Sequence, residues 1–257
     1  MTRTAPDRRA WVEQIMGMPI SVHVRGAGAR DAATARAVES VFADLRAADA
    51  MFSTYREDSQ IRRLQRGEIA LDDCSTAVRE VWLLCGTALE RTDGAFDAWA
   101  AVPGSPGTFD PTGLVKTWTV THAAGHLRAL TGLGFALGAG GDILVQTGPD
   151  QTPWQIGIED PRDTSRVLAT VPVADGGVAT SGVAARGQHI LDPRTGEPAT
   201  EILSATVIGP SLLWADVFAT AAVARGASAV DWVHGLHGTS GLIMLTDGTV
   251  HRWSNAS

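Results

Sequence analysis

The sequence predicts a mixed chain of α/β class, α+β in arrangement, and three observations carry that expectation. Helical periodicity fills the first half, β-branched and alternating runs fill the second, and no internal repeat interrupts either. At 257 residues, 44% of them apolar, the chain is long enough for a sizeable core and is read as a single unit, residues 1–257, with two lobes.

The elements follow in order. Ile20, Val22 and Val24 alternate with Ser21 and His23 in a strand that begins after Met16. Asp31 is expected to cap a long helix, on which Val38, Val41, Phe42 and Leu45 make one apolar stripe. Residues 52–67 read as a loop and a short helix, capped by Asp58 or Ser59 and closed by Gly67. A third helix is expected over residues 75–92, with Val78, Val81, Trp82 and Cys85 facing inward. The segment after it is rich in glycine and proline, but Phe96, Trp99 and Phe109 favour an ordered loop over a linker. That loop leads to a helix starting near Gly113. Two short strands then flank Gly140-Gly141-Asp142, and Trp154, Ile156 and Ile158 share one face of another strand ending at Asp160-Pro161. Further strands are expected within residues 177–193 and over 203–209, followed by a helix over 212–225 closed by Gly226. A short helix and an Asp247-Gly248 hairpin finish the chain.

Charge and cysteines narrow the function. A net charge of −7 argues against a nucleic-acid binder, which needs a basic face. An anionic ligand would therefore need a local patch of positive charge or a metal. No stretch reaches the apolar length of a membrane span, and the start of the chain lacks a secretory h-region, so a cytoplasmic protein without membrane insertion is expected. Cys74 and Cys85 read as reduced, buried thiols.

Several stretches are candidates for chemistry. Residues 188–198, QHILDPRTGEP, put His189, Asp192 and Arg194 around a tight turn at a strand end. By themselves they read first as a polar hairpin loop. Asp216 and Thr220 stand four apart on a helix apolar nearly all round, where a carboxylate must be paired or metal-bound. Either Asp216 pairs with an arginine while Thr220 bonds back to its helix, or the two are hard oxygen ligands for Mg²⁺. Gly140-Gly141-Asp142 permits close backbone approach to a ligand or is a plain turn. Asp110 and Lys116 bracket Gly113 at a helix start, where free N–H groups favour anions, though Lys116 is equally a surface lysine. A serine hydrolase built on Ser181 and His189 lacks the G-x-S-x-G elbow.

Together the segments MGMPISV, FSTYREDSQI, DGAFD, FDPTGLVK, ALGAGGDI, ATSGVAARGQHILDPRTGEP and ADVFATA resemble the ApbE family of FAD:protein FMN transferases, in the family's order and across nearly the whole chain. HILDPRTG followed by ADVFAT is the specific pair. The resemblance implies a T-fold-related, two-lobed fold with a flavin cleft between the lobes. It also implies Mg²⁺ on the FAD pyrophosphate, and transfer of FMN to a Thr or Ser hydroxyl of an acceptor flavoprotein with release of AMP. By the same resemblance the metal falls to Asp216, Thr220 and the backbone carbonyl of Gly113, and proton abstraction to His189. Flavin contacts are expected at Met16, Tyr55, Ala95, Phe96, Asp97, Asp110 and Lys116, and at Gly140, Gly141, Asp142, His189 and Ile190. The stretch between Asp97 and Asp110 is shorter than is usual in the family, and Thr117 and Trp118 stand where it tends to have Gly and an aromatic. Alternatives with the same site are an FAD pyrophosphatase and a flavin-delivery protein without turnover. The chain is expected as a monomer or homodimer.

Overall fold

The computed structural model describes residues 7–100, 107–182, 190–192 and 195–255. In order these form β1 (Arg8–Ile15), β2 (Met18–Arg25), α1 (Ala32–Phe52), α2 (Gln60–Gln65), α3 (Thr76–Arg91), α4 (Thr112–Ala123) and α5 (Gly125–Arg128). There follow β3 (Gly134–Ala139), β4 (Asp142–Gln146), β5 (Trp154–Asp160), β6 (Asp163–Val173), β7 (Asp175–Gly182), β8 (Ile202–Gly209), α6 (Leu212–Arg225), α7 (Ala229–Trp232), β9 (Ser240–Leu245) and β10 (Val250–Ser254).

Eight strands pair antiparallel in the order β1-β2-β3-β4-β7-β8-β9-β10, while β5 and β6 pair only with each other. The period-2 alternation of side chains gives the large sheet two apolar faces. Val22, Leu137, Leu144, Ala179, Val207 and Ile243 point to one face, where α1, α4 and α6 cover them in the main core. Ala136, Val145 and Val178 point to the other, where Ile156 and Val173 of the β5–β6 hairpin close a smaller cluster. Asp142 lies across from Ala139 in the β3–β4 register and shares the helix-covered face with Leu144. The hairpin that presents it turns through Gly140 and Gly141, both at positive φ (59° and 98°), which suits a tight two-residue turn.

Local chemistry sets the helix starts. Ser59 caps α2 by accepting from Arg62 N at 3.0 Å, and Ser75 caps α3 by accepting from Val78 N at 3.3 Å. Asp31 holds the N-cap position of α1, but its side chain makes no capping bond. Thr34 Oγ1 instead ties that start to Gly28 O at 2.7 Å. Trp82, expected inward on α3, is half-buried and packs against the main core, with the Trp99 and Phe109 ring centroids 5.0 and 4.5 Å away. Two strands, β1 and β6, lie outside the strands expected from sequence. Cys74 and Cys85 are both buried free thiols, and burial pushes Cys85 up to about 12. Among the described residues no helix is long and apolar enough to cross a membrane.

Candidate active site

The site is built on α6. Ser211 caps it by accepting from Trp214 N at 3.4 Å, an alanine-rich run fills it, and Gly226 ends it at φ +61°. Leu212 to Ala224 are buried except Trp214 and Thr220. Asp216, only 4% exposed, and Thr220 one turn later face a cleft of about 530 Å³, within the range of small-molecule sites. Thr220 Oγ1 shares a hydrogen bond of 2.9 Å with Ser181 Oγ at the end of β7.

Behind the cleft wall lies a charged cluster. Lys116, on the second turn of α4, donates to Asp142 Oδ2, and its Nζ is 3.4 Å from Asp216 Oδ2. Asp142 is fully buried and also accepts from Thr180 N at 3.0 Å. Burial, and then the charge of Asp216, hold the Asp142 carboxyl above the usual carboxylate range, with Lys116 and the Thr180 amide pulling the other way. Thr117 Oγ1 donates to Asp216 Oδ2 at 3.1 Å. Among the described residues, every contact to this carboxylate thus goes to Oδ2.

The opposite wall is the loop between α3 and α4. Thr92 Oγ1 accepts from Phe96 N at 2.9 Å, and Asp97 Oδ1 accepts from Trp99 N at 2.8 Å. Asp110 N donates to Ala98 O at 2.8 Å, joining the two arms of the loop, and Trp82, Trp99 and Phe109 pack as one cluster behind it. Asp110 Oδ1 accepts from Thr112 N at 2.9 Å, so that this α4 amide already has an anion. Gly113 packs closely on the other arm of the loop: a Cβ there would lie 3.3 Å from the Phe96 ring. The third wall is formed by Ile190, Leu191, Asp192 and Gly196, where Ala199 N donates to Ile190 O at 2.9 Å and Asp192 N donates to Glu197 O at 2.7 Å.

Ala95, Phe96, Asp97, Asp110, Gly113, Lys116, Gly140, Ile190, Asp216 and Thr220 therefore line one cleft. Asp142 does not; it stands behind Lys116 and fixes it. Gly141, Met16 and Tyr55 are not among the lining residues, and Tyr55 is 93% exposed. Met16 forms the β1–β2 turn at φ +55°. His189 and Arg194 lie outside the described residues. Sequence reasoning did not assign Thr180, Ser181 or Gly182 to the ligand, yet all three line the cleft at the end of β7. Their signal was a run of small and hydroxyl residues ending a strand. The contact of Thr117 with Asp216 had no signal, because it joins residues 99 apart in sequence.

Four carboxylates line the cleft among its described residues, those of Asp97, Asp110, Asp192 and Asp216, against the single ammonium of Lys116. Among these described residues negative charge predominates, which suits a ligand that brings a cation with it. The donors fit a hard divalent cation: a carboxylate with Oδ1 unoccupied by described donors, a hydroxyl one turn away, and the exposed start of α4 at Gly113.

The ApbE family model matches residues 16–103 and 101–243. An FAD:protein FMN transferase of Klebsiella pneumoniae (strain 342) is 34% identical over 120 residues, covering 41% of this chain and only 34% of that protein. The chain thus matches about a third of that relative's length. An FAD:protein FMN transferase of Salmonella typhimurium (strain LT2) is 25% identical across 96% of this chain and 87% of its own. Among solved structures, the ApbE protein of Thermotoga maritima superposes with a TM-score of 0.83 at 21% identity, over 96% of this chain and 97% of that one. The flavin transferase ApbE of Vibrio cholerae gives 0.80 at 22% identity, over 97% and 98%. At these identities the two structures speak for a shared fold.

Proposed function

The chain belongs to the ApbE family, and from that premise we propose that it is an Mg²⁺-dependent FAD:protein FMN transferase. The observation that carries this reading is the acidic cleft with Asp216 and Thr220 one turn apart on a buried helix. A site so rich in carboxylates suits a dinucleotide pyrophosphate when a divalent cation comes with it. Asp216, Thr220 and the Gly113 carbonyl would hold that cation, which when bound supplies positive charge to the pyrophosphate oxygens.

The remaining work falls to the chain's own groups. Lys116 presents an ammonium at the cleft wall, and Asp142 behind it fixes where that charge sits. Phe96, beside Gly113, offers an apolar face for a flavin ring. His189 takes the proton from a Thr or Ser hydroxyl of an acceptor flavoprotein. That oxygen bonds to the FMN-side phosphorus while the bond from phosphorus to the bridging oxygen breaks, and AMP leaves with the electron pair.

The test incubates the protein with FAD and Mg²⁺, with and without a candidate acceptor, and follows AMP and acceptor mass. AMP with one FMN gained by the acceptor is expected. AMP without any acceptor would mean hydrolysis of FAD, and FAD binding without AMP would mean delivery alone. Asp216→Ala should abolish turnover, and Thr220→Val should weaken metal dependence. His189→Ala should lose about a hundred- to ten-thousand-fold in rate while still binding FAD. Transfer by Asp216→Ala at the normal rate would sink the metal assignment.

A further inference from the structure

We propose that Thr117 is a positioning residue that orients the Asp216 carboxylate for a divalent cation, an inference that rests on the metal reading above. Thr117 is fully buried, with Oγ1 3.1 Å from Asp216 Oδ2 and 3.3 Å from its own helix's Leu114 O. Two other threonines on α4 show what the hydroxyl does by default. Thr119 donates to Val115 O at 2.8 Å and Thr121 to Thr117 O at 2.7 Å, each a short bond one turn back. Thr117 departs from that pattern: its backbone contact is long and three residues back, and the carboxylate oxygen across the helix interface is the nearer acceptor. A hydroxyl has one proton, and an ionised carboxylate is the stronger acceptor, so the bond to Asp216 dominates.

The consequence is a division of labour between the two carboxylate oxygens. Thr117, with Lys116 3.4 Å away, holds Oδ2 and leaves Oδ1 for the cation. Without that hydroxyl, the Lys116 ammonium is the one remaining described partner of Asp216, and the carboxylate can turn fully towards it. Cation binding and the ion pair would then compete for the same group. Partners that orient a metal ligand in this way typically contribute about 10- to 100-fold to metal affinity.

The experiment titrates Mn²⁺ alone into the full chain, without FAD, and counts free Mn²⁺ by electron paramagnetic resonance. Wild type, Thr117→Val, Thr117→Ser and Asp216→Ala are compared, each with its melting curve in EDTA. Thr117→Val keeps the shape and removes the donor, so its Mn²⁺ affinity should fall about 10- to 100-fold. Thr117→Ser keeps the donor and should restore most of it, which a role in packing alone would not do. Wild-type affinity in Thr117→Val overturns the inference, as does a serine variant as weak as valine. Should Thr117→Val fail to fold, Thr117→Ala against Thr117→Ser makes the same comparison. If wild type binds no Mn²⁺, or Asp216→Ala binds it equally well, the metal reading itself fails, an outcome distinct from the first two.

Discussion

Gly113 is the residue at which space and chemistry meet most closely. It is exposed at the start of α4, yet a Cβ would stand 3.3 Å from two carbons of the Phe96 ring. Gly113→Ala sets two small effects against each other. Alanine is favoured over glycine in a helix by up to about 1 kcal/mol, and the displaced ring costs a comparable amount. Net stability in urea should therefore stay within about 1 kcal/mol of wild type. Binding should not stay level, because Phe96 lines the cleft and would be pushed into it. The expected result is an unchanged urea midpoint with a raised KM for FAD. An unchanged KM would show that the ring does not meet the ligand.

Helix α6 joins the two halves of the site. Asp216 and Thr220 sit on it, and its last residue, Arg225, reaches the far wall. The Arg225 Nη2 donates to Thr92 O at 2.6 Å and to Asp93 Oδ2 at 2.7 Å, and its guanidinium lies 4.6 Å from the Trp232 ring centroid. Asp93 is held at φ +49°, a conformation rare outside glycine, and the next residues, Gly94 to Ala98, line the cleft. Arg225→Met should release that turn. A stability loss of about 1–2 kcal/mol is expected by denaturant melt, small because Asp93 is largely exposed. KM for FAD should rise more than kcat falls, and equal losses in both would argue against a role in shaping the wall. The helix itself was legible in sequence, as an apolar run over 212–225 closed by Gly226. Strand β1 was not, because five of its eight residues are exposed at a sheet edge and the apolar alternation of its sequence is broken. Asp142 was legible as special, but its contact with Lys116 was not: the strand period turns it inwards with Leu144, and Lys116 comes from a distant helix.

At the scale of the molecule, the sheet is the common floor under all three walls of the cleft. Strand β7 carries Thr180 to Gly182, β4 carries Asp142, and α4 and α6 lie on the same face. Which strands would be neighbours could not be read from the sequence, as β4 pairs with β7 across the intervening β5–β6 hairpin. Met16 and Tyr55, expected as flavin contacts, sit in local turns, and the sequence could not say where the whole fold sets those turns relative to the cleft. Because α6 is covered on nearly every side, its backbone amides can meet solvent only when the molecule opens as a whole. Hydrogen exchange at residues 216–220 should then report global unfolding, and a ligand present at a hundred times its Kd should slow it about 100-fold. Heat should remove activity and helicity in one step, with no folded but inactive species between them. Faster exchange at those amides than in the central strands would instead reveal a site that opens on its own.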